Sequence, residues 1–502
     1  MHTRGGSEPP AGGRPAIVET HSSLIVLWAD QAHKIRKPID LGFLDNRTVA
    51  ARGEQSRREV ELNSRLAPDV YGGVLEVRGP DGEVIDHVVR MRRLPSHRSL
   101  DSLVRSRSAG TAPEGRPDLV DGVREVARQL DHLHAASPHT EDIDAAGGRD
   151  AVAGLWRDSV DHLRRLSVGE DAPEIVDDIE RLAGEYLRGR GRLLEARIAA
   201  GRIVDGHGDL LAADVYLEDD GPRVIDCLEF DDRLRFGDAM LDAGFLAMDL
   251  DREGARDLAV EFLRAYRDFS GDDAPPSLVH HYIGYRALVR AKVTAIRAGQ
   301  AGGGGGAAAR HALELADAAV DALLRARVRL VLVGGVSGSG KSTLAAPLAE
   351  SLGAELLRSD VLRPGVPAGG DRYSEESVSA VYAGMLGRAA ELLALGRSVV
   401  LDATWLDPRR RARAETVAAD AHAELVEVSC TAPREELVRR ILDRADAGAD
   451  PSEATVEVLD AQLADLPPWP DAIEVDTTEL DVRDAGAVRA WAGRVLGPLP
   501  WA

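Results

Sequence analysis

Cysteine is nearly absent, with only Cys227 and Cys430 in 502 residues. Two thiols so far apart in the chain provide neither a disulfide framework nor a CxxC zinc knuckle, and they suit a reducing cytoplasm. Aromatic residues are scarce at 4%, so the cores have to rest on Leu, Val, Ile and Ala. No run of 18 apolar residues occurs, and residues 1–15 are rich in Gly and Pro without the apolar centre of a signal peptide. That stretch is expected to be a disordered N-terminus, and the chain is expected to be neither exported nor membrane-spanning. A basic surplus is missing too. The net charge of −22 repels a phosphate backbone unless basic residues gather locally, so nucleic acid is not an expected partner.

The hydrophobic share of 44% and the charged share of 29% are those of a globular chain, and its length predicts two to four domains. The clearest punctuation is AGGGGGAAA at 301–309, where five consecutive glycines make a regular element entropically costly. A glycine-rich linker at 301–310 is therefore expected, with separable halves on either side. Before it, 17–28 and 32–39 read as two strands, and 48–66, 117–136, 155–166, 239–250 and 276–297 as helices. The apolar runs RIVDGH and RVIDCLEF flank a polar loop within 202–230. After the linker a helix at 313–326 precedes the strand VRLVLV at 328–333, and strands then alternate with helices. Such alternation is the sign of a parallel α/β sheet.

Gly335, Val336, Ser337, Gly338, Ser339, Gly340, Lys341 and Ser342 match G-x-x-x-x-G-K-[ST] between that strand and a helical run. Glycines let the backbone N–H groups converge on phosphate oxygens at a helix N-terminus, where the dipole favours anions. Lys341 would add a charge for the outer phosphates, Ser342 a hydroxyl for Mg²⁺, and Thr343 extends the cradle into the helix. Asp402 ends the apolar run VVLD and is placed to reach the same ion; a strand-terminal cap is the alternative. Asp360, in RSD after the second strand, is positioned to accept a proton from a substrate hydroxyl, or to cap a helix. Arg440 and Arg444 lie on an expected helix, and the two readings for them are a segment that closes over a triphosphate and solvated surface arginines. These motifs, with RSDVLR and VVLDAT, make 328–478 resemble the small P-loop kinases, especially those akin to gluconate kinase and zeta-type kinases. That resemblance implies that Asp360 contacts the acceptor. Pro364 stands where many relatives carry a basic residue.

A second constellation lies in the front half. In HGDLLAAD, Asp209 is set to take the proton of an attacking hydroxyl, while Asp214 and Asp226 on consecutive strand ends suit magnesium. Upstream, Lys34 and Lys37 on a strand and Glu59 on a helix provide candidates for a lysine–glutamate pair that holds ATP phosphates. The set resembles the aminoglycoside phosphotransferase-like family, and with the P-loop domain behind it the chain resembles the bifunctional aminoglycoside phosphotransferase/ATP-binding proteins. Supporting stretches include HKIRKPIDLGFLD, VVRMRRLP, HGDLLAADVYL and VIDCLEFDDRLRFGDAMLDAGFLAMDL. The resemblance implies that Asp209 is the base, Asp226 a magnesium ligand and Asp238 the brace of the catalytic loop. Where the family pattern runs HGDLHxxN, this chain has Leu211 and Asp214, so three carboxylates are expected to crowd one site.

The expected fold is an α+β protein-kinase-like domain at 16–300 joined to an α/β P-loop NTPase domain at 311–502, the latter an AAA-type ATP-binding kinase domain. The expected function is ATP- and Mg²⁺-dependent phosphotransfer to a small hydroxylated acceptor, a sugar or an aminoglycoside-like molecule. The alternative is an ATP-binding or ATPase regulatory module related to toxin–antitoxin systems. Asp360 favours the kinase, whereas Pro364 and the altered front loop favour the alternative.

Overall fold

The computed structural model describes residues 15–20, 22–40, 45–111, 117–165, 172–300, 306–362, 375–447 and 455–501. Pro364 and nearly all of the expected disordered N-terminus lie outside the described residues. The chain forms two compact units, and each is discontinuous in sequence. One comprises Met1–Ala151 and Arg197–Asp273, the other Val152–Ala196 and Ala274–Ala502.

The first unit begins with a five-stranded antiparallel sheet of β1 (Ala16–Glu19), β2 (Ser23–Trp28), β3 (Gln31–Arg36), β4 (Tyr71–Arg78) and β5 (Val84–Arg92). Their order is β1-β2-β3-β5-β4. Three strands thus occupy 16–36 where the sequence suggested two, because the expected strand 17–28 breaks into β1 and β2, paired antiparallel, with the Thr20 amide donating to the Ser23 carbonyl at 2.8 Å between them. The helix Val49–Asn63 starts at Thr48, whose hydroxyl accepts from the Ala51 amide at 3.1 Å, an N-cap. The rest of the unit is mainly helical, with two short antiparallel pairs: β6 (Ile203–Asp205) with β9 (Phe236–Asp238), and β7 (Val215–Glu218) with β8 (Gly221–Val224). Between them lies the segment 206–214. The helix Ala239–Arg252 is buried along almost its whole length.

The second unit is built on a fully parallel sheet of β10 (Arg329–Gly334), β11 (Glu355–Arg358), β12 (Val399–Asp402), β13 (Glu424–Thr431) and β14 (Ile473–Asp476), ordered β11-β12-β10-β13-β14. Every residue of β10 is buried, as a continuous apolar run in the middle of a two-sided sheet should be. Its neighbours leave their C-terminal ends on one edge, where open α/β sheets place ligands.

The units do not divide at the glycine run. Residues 301–305 lie outside the described residues, and Gly306–Arg325 is helical, so the expected linker is helix from 306 onward. The helix packs tightly against Pro276–Gln300: a Cβ built on Gly284 would stand 3.2 Å from the Ala319 carbonyl oxygen. The segment Val152–Ala196 also belongs with the P-loop sheet. Arg190, fully buried, donates to the carbonyls of Leu393, Ala421 and His422. Those groups lie at or just beyond the ends of the helices Glu375–Ala394 and Pro408–Asp420, where carbonyls lack intrahelical donors. The boundary drawn from composition thus gives way to one drawn by packing.

Candidate nucleotide sites

The protein contains four lysines, Lys34, Lys37, Lys292 and Lys341. Lys34 projects from β3 to Glu59 on the helix Val49–Asn63, with Nζ 2.7 Å from Oε1, and lies 3.7 Å from Asp226. Burial lowers the ammonium pKa, but Glu59, Asp226 and Glu229 outweigh it and hold Lys34 above the ordinary lysine range. Lys37 faces Glu19 and the Thr20 carbonyl near the surface; of the two candidates, Lys34 makes the internal pair.

Arg36 and Glu229 were not singled out in the sequence. Arg36 donates to Glu59 Oε2 at 2.6 Å and to Glu229 Oε1 at 2.8 Å, so one buried guanidinium joins β3, the helix and the segment after Asp226. Burial, with Glu59 nearby, pushes the Glu229 carboxyl up. A second tie is neutral: Asn63 Oδ1 accepts from the Cys227 amide at 2.8 Å while its Nδ2 donates to the Glu59 carbonyl. These constraints hold Asp226, whose φ is +65°, beside Lys34.

The HGD loop hangs from one helix. Asp242 accepts from the amides of His207 at 2.7 Å and Gly208 at 2.9 Å, and Asp249 from that of Ala212 at 2.9 Å. A spacing of seven residues puts both carboxylates on one face of Ala239–Arg252. Asp238, expected to brace the loop, instead caps this helix through the Met240 amide and takes two bonds from Arg197. The brace is one turn further along. Its signal was legible in AMLDAGFLAMDL at 239–250, where Asp242 and Asp249 are the only ionisable residues of an apolar stretch.

Burial lowers the His207 pKa against the opposing charges of Asp242 and Asp209, so the neutral ring donates from Nε2 to the Ile225 carbonyl at 3.1 Å. Asp209 is left half-buried within this fixed loop. Asp214 is buried, and its carbonyl accepts from the Ile225 amide at 3.0 Å, next to Asp226 in sequence. Two hard oxygen donors suit Mg²⁺, which commonly takes one or two carboxylates and completes its shell from phosphate and water. Among the described residues no group of three or more His, Cys, Asp or Glu is gathered to hold a metal ion.

In the second unit the loop after β10 turns through Gly335, Gly338 and Gly340, with φ of 136°, 80° and 85°. Space as well as backbone angle demands glycine there: a Cβ on Gly335 would lie 2.5 Å from the Cys430 carbonyl oxygen, and one on Gly338 2.6 Å from that of Leu437. The helix Lys341–Leu352 begins directly at the loop, placing Lys341, Ser342 and Thr343 in its first turn. Burial lowers the Lys341 pKa, while Asp402 and Asp360 oppose that shift. An ammonium surrounded by protein at a helix N-terminus fits an incoming polyanion.

Asp402 ends β12 almost fully buried, and Arg358 Nε lies 3.1 Å from its Oδ2. Asp360 opens the short helix Ser359–Leu362 just after β11. The sheet edge thus carries a lysine, a seryl hydroxyl and two carboxylates, oxygen donors of the type Mg²⁺ accepts. Arg440 donates to Thr477 Oγ1 at 2.8 Å and to the Gly338 carbonyl at 3.4 Å, while Thr477 donates to the Ser339 carbonyl. It braces the carbonyl side of the loop. Arg444 makes a repulsive contribution at Lys341, which puts its charge near the cradle. Thr477 was not anticipated from the sequence.

Residues 330–469 match the AAA domain family. The chain is 40% identical over 492 residues to the uncharacterized protein Rv2004c of Mycobacterium tuberculosis strain H37Rv, covering 95% of this chain and 96% of that protein. Among solved structures, it is similar to a choline/ethanolamine kinase family protein from Mesorhizobium loti, with 16% identity, coverage of 62% of this chain and 93% of that one, and a TM-score of 0.37. A gluconokinase from Sinorhizobium meliloti is 23% identical, covers 33% of this chain with 94% of its own, and gives a TM-score of 0.25. Among the described residues no helix is long and apolar enough to cross a membrane.

Proposed function

We propose, from the premise that the chain belongs to one family with the uncharacterized protein Rv2004c of Mycobacterium tuberculosis and from its resemblance to the bifunctional aminoglycoside phosphotransferase/ATP-binding proteins, that it is an ATP- and Mg²⁺-dependent phosphotransferase. Its acceptor is the hydroxyl of a small molecule, a sugar or an aminoglycoside-like compound, and it works in the cytoplasm. The observation that carries this reading is the meeting of Lys341, Asp402 and Asp360 at the C-terminal edge of a parallel sheet, directly beneath a glycine loop. Lys341 balances charge on the outer phosphates, and Asp360 accepts the hydroxyl proton as the acceptor oxygen attacks. Ser342 and Asp402 would hold Mg²⁺, which neutralises charge on the phosphates when bound.

The front unit supports the same class of chemistry. Lys34, oriented by Glu59, serves the nucleotide phosphates; Asp209, fixed by the loop that Asp242 suspends, serves as base; Asp214 and Asp226 would hold Mg²⁺. The test is a screen of the purified full chain with labelled ATP against sugars, aminoglycosides and nucleosides, repeated with Lys341→Ala and Asp209→Asn. Phosphorylated acceptor lost in one variant assigns the activity to that site. Release of inorganic phosphate alone, with every acceptor unmodified, would replace the kinase reading by an ATPase.

A further inference from the structure

Gln462 lies on the helix Val456–Ala464, far in sequence from the phosphate loop, yet its Oε1 accepts from the Ser337 amide at 2.8 Å. The helix is well anchored for this contact. Leu459 is fully buried in a cluster with Val336, Leu437 and Ile441, and Asp460 accepts from Arg434 at 2.7 Å. The amide that Gln462 holds belongs to the peptide unit Val336–Ser337. At the other end of that unit the Val336 carbonyl accepts from the Ser339 amide at 3.2 Å and faces Lys341 Nζ at 3.5 Å.

A trans peptide is planar, and its N–H and C=O point in opposite directions. Fixing the N–H on one side therefore aims the carbonyl on the other. We propose that Gln462 is a positioning residue for Lys341: by holding the Ser337 amide it orients the Val336 carbonyl against which the lysine ammonium rests, and so presets the ammonium for phosphate. The proposal rests on the reading of 335–342 as the phosphate site. With the side-chain oxygen removed, the peptide unit can rotate, the carbonyl leaves its place, and Lys341 samples orientations that a bound phosphate must then select. A preorganised cradle binds more tightly than one that has to be ordered.

The four lysines make a site-resolved test practical. In the full chain labelled with ¹³C-lysine, four ε-methylene resonances are expected, and Lys341→Arg assigns one of them. Gln462→Met keeps the length of the side chain and removes the acceptor; Gln462→Glu keeps an acceptor oxygen. The expected result is that Gln462→Met shifts the Lys341 resonance before any nucleotide is added, with those of Lys34, Lys37 and Lys292 unmoved. A titration with Mg²⁺–ADP read at Lys341 should then show affinity roughly fivefold weaker, the scale of one lost neutral hydrogen bond. Gln462→Glu should return the apo resonance toward its original position. An unmoved Lys341 resonance with unchanged affinity in Gln462→Met would overturn the proposal, as would shifts of equal size at all four lysines. If Lys341 in the unaltered chain fails to respond to Mg²⁺–ADP, the phosphate-site reading falls and the proposed role falls with it, whereas the apo comparison still reports whether Gln462 and Lys341 are linked.

Discussion

Lys34 and Glu59 meet at 2.7 Å across the interface of β3 with the helix Val49–Asn63, and Glu59 turns its second oxygen to Arg36. One carboxylate therefore neutralises two buried cations. Glu59→Ala should cost about 3–5 kcal/mol, the range for removing one partner of a buried ion pair. Lys34→Ala should cost less, since Arg36 continues to neutralise Glu59, while still removing nucleotide contacts from the front site. Urea unfolding of both variants checks the order. Equal destabilisation would mean that Arg36 does not share the carboxylate.

Asp242→Asn should release the amides of His207 and Gly208 without unfolding the unit. Their exchange with solvent deuterium is expected to accelerate about tenfold, and Asp249→Asn should do the same at Ala212. Asp238→Asn should leave these three amides protected and lower global stability through Arg197. Faster exchange of His207 in the Asp238 variant would return the bracing role to that residue.

Lys341→Ala is expected to lower back-site turnover on the order of 100-fold, as loss of a transition-state electrostatic contact commonly does. Asp360→Asn should preserve ATP binding and depress transfer to the acceptor, because the amide keeps the shape and loses the basic oxygen. If transfer persists while ATP affinity falls, Asp360 serves the nucleotide.

His281 should make the protein acid-sensitive. Its Nε2 accepts from the Trp156 indole at 3.0 Å and its ring stacks on Tyr186 with centroids 4.2 Å apart; burial depresses its pKa to about 3. The unfolded chain, with the ordinary value near 6.5, binds a proton that the folded chain refuses. The contribution is complete above about pH 6.5 and is lost as pH falls toward 3, with a slope of up to about 1.4 kcal/mol per unit. Denaturant midpoints between pH 4 and 7 should show a smaller slope in His281→Gln, whose amide also accepts. An unchanged slope would place the acid sensitivity elsewhere.

Residues 312–502 alone should not form a stable unit. They lack Arg190 and also Ser277, whose hydroxyl donates to the Gly396 carbonyl at 2.6 Å. They also lack the helix that packs on Gly306–Arg325. A cooperative thermal transition matching that of the full chain would show these supports to be dispensable.

Local chemistry made the phosphate loop legible. Its eight residues, the preceding apolar strand and the following helix lie contiguous in sequence, and the parallel sheet followed from the same alternation. The Lys34–Glu59 pair was partly legible, because β3 and the next helix are close in sequence, but choosing Lys34 over Lys37 required the orientation of a strand. Gln462, Thr477 and the bond between Arg36 and Glu229 act over separations that no pattern encodes. The glycine run misled for a related reason. Composition reports how stiff a segment is, whereas the allegiance of Val152–Ala196 is decided by carbonyls two hundred residues downstream.

That arrangement has a consequence for biosynthesis. Arg190 and its acceptor at Leu393 are 203 residues apart, and a ribosome adds about 5–20 residues per second. The helices around Arg190 therefore emerge roughly 10–40 s before the carbonyls that will receive its guanidinium have been made. Throughout that interval the apolar faces of Val152–Ala196 are nascent surface without their final cover, while the first unit, complete by Asp273, can already close around the gap in its own sequence. The second unit has to be assembled from two segments of sequence, 152–196 and 274–502, made at different times, so its yield in cells should depend on translation speed and on chaperone occupancy of 152–196 more than on the intrinsic stability of the β10–β14 sheet.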